Sequence, residues 1–155
     1  MKLARLLSST SKRTFVLYPG LVALEQRLRR QPLHLAWAPL LPWGYLQYRL
    51  SGNYRTRKGG GGPGVAVPPD RIVDGGLYGY TRNPMYLGHL IFLTGLTGLT
   101  RSPLAAFLVA INLPWFDRHA RQDEERLLHL FGADYATYRD RVPRWLPGLP
   151  GSTPR

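Results

Sequence analysis

The sequence predicts an all-α protein, more specifically a multi-pass membrane helix bundle with a helical hairpin over about residues 84–116 and a C-terminal amphipathic helical cap. Three observations lead to this prediction. The chain carries four apolar segments, only two residues separate the last two of them, and tyrosine and tryptophan accompany a large excess of basic residues. Apolar helices edged by aromatic and basic side chains are typical of membrane proteins.

The apolar segments cover residues 14–27, 33–50, 84–100 and 103–116. Prolines or glycines interrupt each of them, so none is an unbroken run of the ~20 apolar residues that span a bilayer. The mean hydropathy of -0.22 leaves the membrane prediction open. The length predicts a single domain over 1–155. We divide it into N-terminal helices over 1–50, a Gly/Pro-rich loop over 51–76 and a core over 77–147.

The third and fourth apolar segments predict the hairpin most directly. Ser102 is a good N-cap and Pro103 a good first helical residue, so a new helix is expected to begin there. Gly88, Gly95 and Gly98 stand at spacings that let neighbouring membrane helices approach closely. In water each of these glycines would only weaken the helix, by about 1 kcal/mol relative to alanine.

The distribution of basic residues predicts how such a bundle would be oriented. If segments 33–50, 84–100 and 103–116 all cross, most of the flanking basic residues share one side. They are Arg49, Arg55, Arg57, Lys58, Arg71, Arg82, Arg118 and Arg121. The richer side is expected to be cytoplasmic. Arg27, Arg29, Arg30 and Arg101 fall on the other side, so segment 14–27 either crosses or lies flat on the membrane surface.

Composition narrows the function classes. The chain has 21 Lys and Arg against 9 Asp and Glu, which suggests an anionic partner, either a nucleic acid or a lipid surface. There is no cysteine, which excludes a disulfide framework, a thiolate metal site and a cysteine nucleophile. No metal site is predicted.

The stretch GLYGYTRNPMYLGHL, residues 76–90, is the first candidate site. Asn83 and Pro84 suit the N-cap and first position of a helix, and that role accounts for both of them. It does not account for Arg82, one residue earlier and surrounded by tyrosines. A helix N-terminus favours anions, so Arg82 beside it predicts a seat for a carboxylate or phosphate.

The second candidate site lies on the continuation of the fourth segment, which we expect to kink at Pro114 and to stop at Gly132. Helical spacing places Glu124 on an otherwise apolar face with Asp123 at its edge, where a carboxylate needs a partner. Arg121 and Glu125 are expected to pair as solvent-exposed charges. The alternative for Glu124 is an amphipathic helix with a stray acid.

Together these pieces form a recognisable pattern. GLYGYTRNPMYLG, followed some forty residues later by DEERLLHLFGADYATYRDRVPRWLP, resembles the isoprenylcysteine carboxyl methyltransferase and phospholipid methyltransferase superfamily. The similarity covers the C-terminal half and includes the order and spacing of the motifs. The matching positions are Gly76, Tyr78, Arg82, Pro84, Tyr86, Gly88, Glu124, Leu127, Phe131, Gly132, Tyr135, Tyr138, Val142, Arg144 and Pro147.

The resemblance implies an integral membrane enzyme that binds S-adenosylmethionine, with its motifs on the cytoplasmic side. The cofactor-binding residues that it implies are Tyr78, Arg82, Asn83, Pro84, Tyr86, Gly88, Asp123 and Glu124. Glu124 and Arg121 are the residues we assign to catalysis. Arg82 suits the cofactor carboxylate, Glu124 a cationic group, and the tyrosines the adenine or the sulfonium.

The methyl acceptor is expected to be lipophilic, and two classes of acceptor remain open. Asn83 stands where carboxyl methyltransferases usually carry histidine, and Asp123 takes the first place of the usual pair of glutamates. The acceptor is therefore either an isoprenylcysteine-type carboxylate or a lipid amine. Two alternatives to the enzyme are a basic nucleic-acid-binding protein and a membrane protein of this fold without catalysis. A second copy of the chain would be one way to complete a small active site.

Overall fold

The structure is a computed structural model that describes residues 9–61 and 67–146, and every regular element in these residues is a helix. The α-helices, α1 to α5 in chain order, are Thr10–Lys12, Tyr18–Arg29, Leu40–Gly59, Pro84–Thr100 and Pro103–Arg141. A π-helical turn spans Arg13–Leu17, and 3-10 turns span Leu35–Trp37 and Gly76–Gly79. The predicted all-α class is confirmed. Pro147, the last residue of the proposed family pattern, lies outside the described residues.

The predicted hairpin forms with the expected bounds at its turn. The backbone N–H of Arg101, in a left-handed conformation with φ 45°, donates to the carbonyl of Thr97 at 2.8 Å and ends α4. The hydroxyl of Ser102 then accepts from the backbone N–H of Ala105 at 2.9 Å, as an N-cap does. Pro103 is the first residue of α5, where its missing N–H costs nothing.

The predicted loop over residues 51–76 is wrong at its N-terminal end, because α3 continues to Gly59. A buried polar face explains the continuation. Gln47, Ser51 and Arg55 follow each other at four-residue spacing and are all at least nine-tenths buried. The helix ends at the glycine run, so the loop begins after Gly59 and not at residue 51. Gly60 has φ 72° and donates its backbone N–H to the carbonyl of Thr56 at 3.2 Å.

The break at Gly132 divides α5 as the sequence predicts. Gly132 has φ 53° and ψ −125°, which no helical residue adopts, and helical geometry resumes over residues 133–141. On this last segment Tyr135 and Tyr138 are buried, followed by Val142, while Asp140 and Arg141 are exposed. One buried and one charged face make this segment the predicted C-terminal amphipathic helix.

Packing divides the chain into two compact units, each assembled from two stretches of sequence. The first unit comprises Met1–Leu46 and Gly88–Trp115, and the second comprises Gln47–Leu87 and Phe116–Arg155. The core of the first unit contains Val22, Leu96, Ala105 and Leu108. The core of the second unit contains Tyr135, Tyr138 and Val142, against which Ile72, Leu127, Leu128 and Phe131 pack.

Glycines bring the helices of the first unit close together. A Cβ atom on Gly44 would lie 2.6 Å from both the carbonyl oxygen of Gly88 and the backbone nitrogen of Phe92. A Cβ on Gly95 or Gly98 would likewise collide with Leu40 or Trp37. The close helix approach predicted from Gly95 and Gly98 is therefore present. Gly88 contributes its backbone to the same interface.

Among residues 9–61 and 67–146, no helix combines the length with the apolar character that a bilayer span requires.

We predict that Gly44→Ala destabilises the protein by about 1–3 kcal/mol, because the added methyl group meets helix backbone that cannot rotate away. Gly20→Ala is the matched control, since a Cβ at Gly20 meets nothing within 4 Å. This control is expected to be neutral or to stabilise by up to about 1 kcal/mol. Thermal unfolding of the two purified variants measures the difference, and equal melting temperatures would contradict the close approach.

Candidate active site

The candidate site is built within the second unit around residues 78–86 and 123–126, and the C-terminal segment 142–145 packs against the first of these stretches. The backbone N–H of Arg82 donates to the carbonyl of Pro143 at 2.9 Å. The hydroxyl of Thr81 donates to the carbonyl of Arg144 at 3.0 Å. These two bonds fix the chain just before the start of α4.

Asn83 occupies the N-cap position of α4, and its side chain does more than cap. The backbone carbonyl of Asn83 accepts from the backbone N–H of Leu87 at 3.0 Å, which is the first helical hydrogen bond. The side-chain amide nitrogen points instead to the carboxylate of Glu124, at 3.4 Å, and to the carbonyl of Arg144, at 3.3 Å. The N-cap explanation of Asn83 is therefore incomplete, because the amide also joins α4 to α5.

Glu124 is 7% exposed and lies between two arginines. Arg144 binds it through two parallel hydrogen bonds, from Nε to Oε1 and from Nη2 to Oε2, each 2.9 Å long. Nη2 of Arg82 lies 3.5 Å from Oε2. Such charge-assisted, bidentate pairing provides the partner that a buried carboxylate requires, and the hydrogen bonds that Arg144 donates to Glu124 raise the pKa of Arg144. The alternative of a stray acid on an amphipathic helix is wrong.

Arg82 is almost fully buried but keeps an unused donor. Its side chain is 7% exposed, and Nη1 lies 3.5 Å from the carbonyl of Arg139. Nε is buried and has no hydrogen-bond partner. Burial lowers the pKa of Arg82 and the charge of Glu124 opposes that shift, but a guanidinium stays protonated in proteins. A buried, charged N–H donor without a partner is costly unless a ligand accepts from it.

A cleft with an empty volume of about 480 Å³ opens beside Arg82. Six of the predicted cofactor-binding residues line it, namely Tyr78, Arg82, Asn83, Pro84, Tyr86 and Asp123. The wall also carries Arg55 and Arg126, so three guanidinium groups face one carboxylate. We call this space the Arg82 cleft.

Within residues 9–61 and 67–146, Asp123 supplies the only carboxylate that lines the Arg82 cleft. Its Oδ2 accepts from the hydroxyl of Tyr86 at 2.9 Å, and its Oδ1 pairs with Nη2 of Arg126 at 2.7 Å. Burial raises the pKa of Asp123, and the bonds from Tyr86 and Arg126 partly oppose the rise. The acid is thus oriented at the wall and keeps partial access to solvent.

A second cavity, of about 360 Å³, adjoins the Arg82 cleft and shares Arg55, Tyr78 and Arg82 with it. We call it the tyrosine cavity, because Tyr78, Tyr135 and Tyr138 line it together with Ile72 and Val73. The hydroxyl of Tyr138 donates to the carbonyl of Tyr78 at 2.8 Å. Burial raises the pKa of all three phenols, so they are neutral at physiological pH.

Glu124 and Arg121, the two residues assigned to catalysis, line neither of these spaces. Both line a third cavity, together with Glu125, Arg139 and Arg144. The predicted Arg121–Glu125 pair is wrong, since Nε of Arg121 donates to Asp117 at 2.8 Å. Asp117 lies four residues before Arg121, and the order acid then base suits the helix dipole better than the reverse.

Gly88, the remaining cofactor-binding prediction, lies in the first unit and lines neither the Arg82 cleft nor the tyrosine cavity. Arg55 and Arg126 are charged lining residues that the sequence analysis missed. Arg55 is 9% exposed, and its Nη2 donates to the carbonyl of Val67 at 2.8 Å. The spacing of Gln47, Ser51 and Arg55 carries the signal for it. Among residues 9–61 and 67–146, no three metal-ligating side chains cluster.

Comparison with known proteins agrees with the sequence pattern. Residues 64–132 match the phospholipid methyltransferase family. The chain is also similar to proteins named protein-S-isoprenylcysteine O-methyltransferase. It is 32% identical to that of Mus musculus over 81 residues, which are 52% of this chain and 29% of the mouse protein. It is 31% identical to that of Schizosaccharomyces pombe over 80 residues, 51% of this chain and 34% of the yeast protein.

The chain therefore spans about a third or less of the length of these relatives. No solved structure matches it. The predicted resemblance to the isoprenylcysteine carboxyl methyltransferase and phospholipid methyltransferase superfamily is therefore confirmed as a similarity over these residues.

Proposed function

We propose that this chain is an enzyme that transfers a methyl group from S-adenosylmethionine to a lipophilic acceptor at a membrane. The observation that carries the proposal is the buried guanidinium of Arg82. It is held by Glu124 on one side, has an unpartnered Nε, and lines a cleft whose wall also carries Asp123.

The residues of the Arg82 cleft fit the proposed cofactor. The carboxylate of S-adenosylmethionine requires a charged donor, which the unused Nε of Arg82 supplies. Its ammonium or sulfonium requires a negative or aromatic partner, and Asp123, Tyr78 and Tyr86 lie in the same wall. Pro84 begins α4 there and leaves the first N–H groups of the helix without helical partners, which favours an anion.

A bound S-adenosylmethionine supplies a methyl group that its sulfonium already activates. The protein then has to align the acceptor in line with that methyl group and exclude water. Arg82 and Asp123 fix the two ends of an amino-acid group, and the neutral phenols of the tyrosine cavity provide apolar, aromatic walls. The tyrosine cavity shares Tyr78 and Arg82 with the Arg82 cleft, so an acceptor placed there lies beside the cofactor.

The charges of the two spaces favour a carboxylate as the acceptor group. Among the described residues, Arg55 and Arg82 line the tyrosine cavity and no acid does. A carboxylate arrives ionised and requires no base, whereas an amine must first lose a proton. Asp123 is the residue that could take that proton, and its raised pKa suits a base better than an ordinary carboxylate. The lipid amine therefore stays the second candidate.

We predict that the protein binds S-adenosylhomocysteine and that Arg82→Ala weakens this binding about tenfold to a hundredfold, the range expected for a lost hydrogen bond to a charged group. The affinity of Arg82→Lys should lie between those of the wild type and Arg82→Ala, because lysine keeps the positive charge but lacks the planar, forked set of guanidinium donors. Arg118→Ala, an exposed arginine on the same helix as Glu124, is the control. Calorimetry measures all four proteins, and no binding by the wild type would rule out the proposed cofactor.

A labelled methyl donor then distinguishes the acceptors. We expect label to enter an isoprenylcysteine and to be released as methanol by mild base, as a methyl ester requires. Base-stable label in a lipid amine would instead support the second candidate. A protein that binds the cofactor but labels neither class of acceptor would support the alternative without catalysis.

The first unit supports a membrane location, because it exposes many large apolar side chains. Val16, Leu24, Leu28, Leu35, Trp43 and Phe107 are each more than half exposed, with Leu28 reaching 78%. Soluble proteins rarely expose so much apolar surface together unless it binds a partner or lipid. A nucleic-acid-binding protein leaves this surface unexplained, so that alternative is not favoured. The excess of basic residues beside the motifs supports a cytoplasmic location for them.

We predict that detergent, and not high salt, releases the protein from membranes. The chain has no cysteine, so Arg118→Cys provides a single label on the motif side. A membrane-impermeant maleimide should modify it in intact cells only after the cytoplasm is opened. Release by salt alone would contradict the membrane location, and labelling from outside would contradict the orientation.

A further inference from the structure

The carboxylate of Glu124 is already fully engaged by the protein. Oε1 accepts from Nε of Arg144 and lies 3.4 Å from the amide nitrogen of Asn83. Oε2 accepts from Nη2 of Arg144 and lies 3.5 Å from Nη2 of Arg82. A carboxylate has about four lone-pair positions, so little capacity remains for a cofactor group. The assignment of Glu124 to a cationic part of the cofactor is at odds with this arrangement.

We propose that Arg144 is a positioning residue: by holding Glu124 through two parallel hydrogen bonds, it keeps the Nε of Arg82 available to the cofactor carboxylate. The proposal rests on the proposed function. Arg144 and Glu124 line the third cavity and not the Arg82 cleft. They therefore act on the cofactor only through Arg82.

The geometry explains why Arg144 is required. A lone carboxylate beside a lone guanidinium prefers a bidentate pair, and that pair can use Nε together with one Nη group. Glu124 now reaches Arg82 only at Nη2, because Arg144 occupies both carboxylate oxygens. Without Arg144, Glu124 is expected to turn toward Arg82, occupy Nε and neutralise its charge.

The charge count leads to the same conclusion. Two guanidinium groups around one carboxylate leave an excess positive charge, which an anion in the Arg82 cleft can neutralise. Arg144 pairs with Asp117 only at 3.8 Å, so its main partner is Glu124. Removing the side chain of Arg144 removes this excess and weakens the attraction for the cofactor carboxylate.

Backbone contacts allow the side chain of Arg144 to be changed by itself. The carbonyl of Pro143 accepts from Arg82, and the carbonyl of Arg144 accepts from Thr81 and Asn83. The indole N–H of Trp145 donates to Asp117 at 3.1 Å. These bonds do not involve the guanidinium, so segment 142–145 is expected to stay in place in an Arg144 variant.

The test is calorimetry with S-adenosylhomocysteine on Arg144→Ala, Glu124→Gln and the double variant. We expect Arg144→Ala to weaken binding about tenfold to a hundredfold, and the double variant to recover at least half of that loss on a logarithmic scale. The recovery follows because glutamine carries no charge to neutralise Arg82. Glu124→Gln alone should cost less than Arg144→Ala.

Two results would overturn the proposal. If Glu124→Gln weakens binding as much as the double variant, and Arg144→Ala leaves binding unchanged or tighter, Glu124 contacts the cofactor directly. If the double variant binds no better than Arg144→Ala, the role of Arg144 is structural. Arg141→Ala is the control, because Arg141 is exposed and pairs with exposed Asp74.

If Arg144→Ala does not fold, Arg144→Lys replaces it in the calorimetric test. Lysine retains the charge but cannot form two parallel bonds to Glu124, so a partial loss of affinity is expected. Unchanged affinity in Arg144→Lys would contradict the need for the bidentate pair. If the wild type binds no S-adenosylhomocysteine at all, the proposed function fails, and this result is separate from any result on Arg144.

Discussion

The buried carboxylate of Glu124, placed between the guanidinium groups of Arg82 and Arg144, is the interaction on which the rest of the candidate site depends. Burying one charge is costly, and a buried ion pair gains stability only when its hydrogen-bonding groups are satisfied. Here four donor groups surround the two oxygens of Glu124. The same carboxylate therefore joins the start of α4, the middle of α5 and the C-terminal segment, which are far apart in the sequence.

Of the partners of Glu124, Arg144 and Asn83 serve the fold, whereas Arg82 serves both the fold and ligand binding. Arg144 and Asn83 complete the hydrogen bonds of the carboxylate, while Arg82 uses one nitrogen for Glu124 and leaves another open. An arginine with an unpartnered, buried N–H is poor for stability, and such groups are frequent where a ligand binds. The second unit thus keeps one unsatisfied, buried donor on a residue that lines a cleft, and a carboxylate is the ligand group that satisfies it best.

The sequence predicts the helices better than it predicts the contacts. The bounds of α4, the N-cap at Ser102 and the break at Gly132 follow from local chemistry that proline, serine and glycine dictate. The extension of α3 to Gly59 is missed, because the spacing of Gln47, Ser51 and Arg55 indicates a polar helix face, but only the tertiary packing shows that this face is buried. Likewise, the sequence places Arg82 and Glu124 in one site but does not show that Arg144 is the main partner of Glu124, since spacing cannot show which of two arginines a carboxylate prefers.

The most direct test of this account is an experimental structure with S-adenosylhomocysteine bound. We predict that its carboxylate accepts from Nε of Arg82 while both hydrogen bonds from Arg144 to Glu124 remain. We also expect its amino group to face Asp123. An amino group bound to Glu124, with Arg144 displaced and Nε of Arg82 still without a partner, would contradict the account.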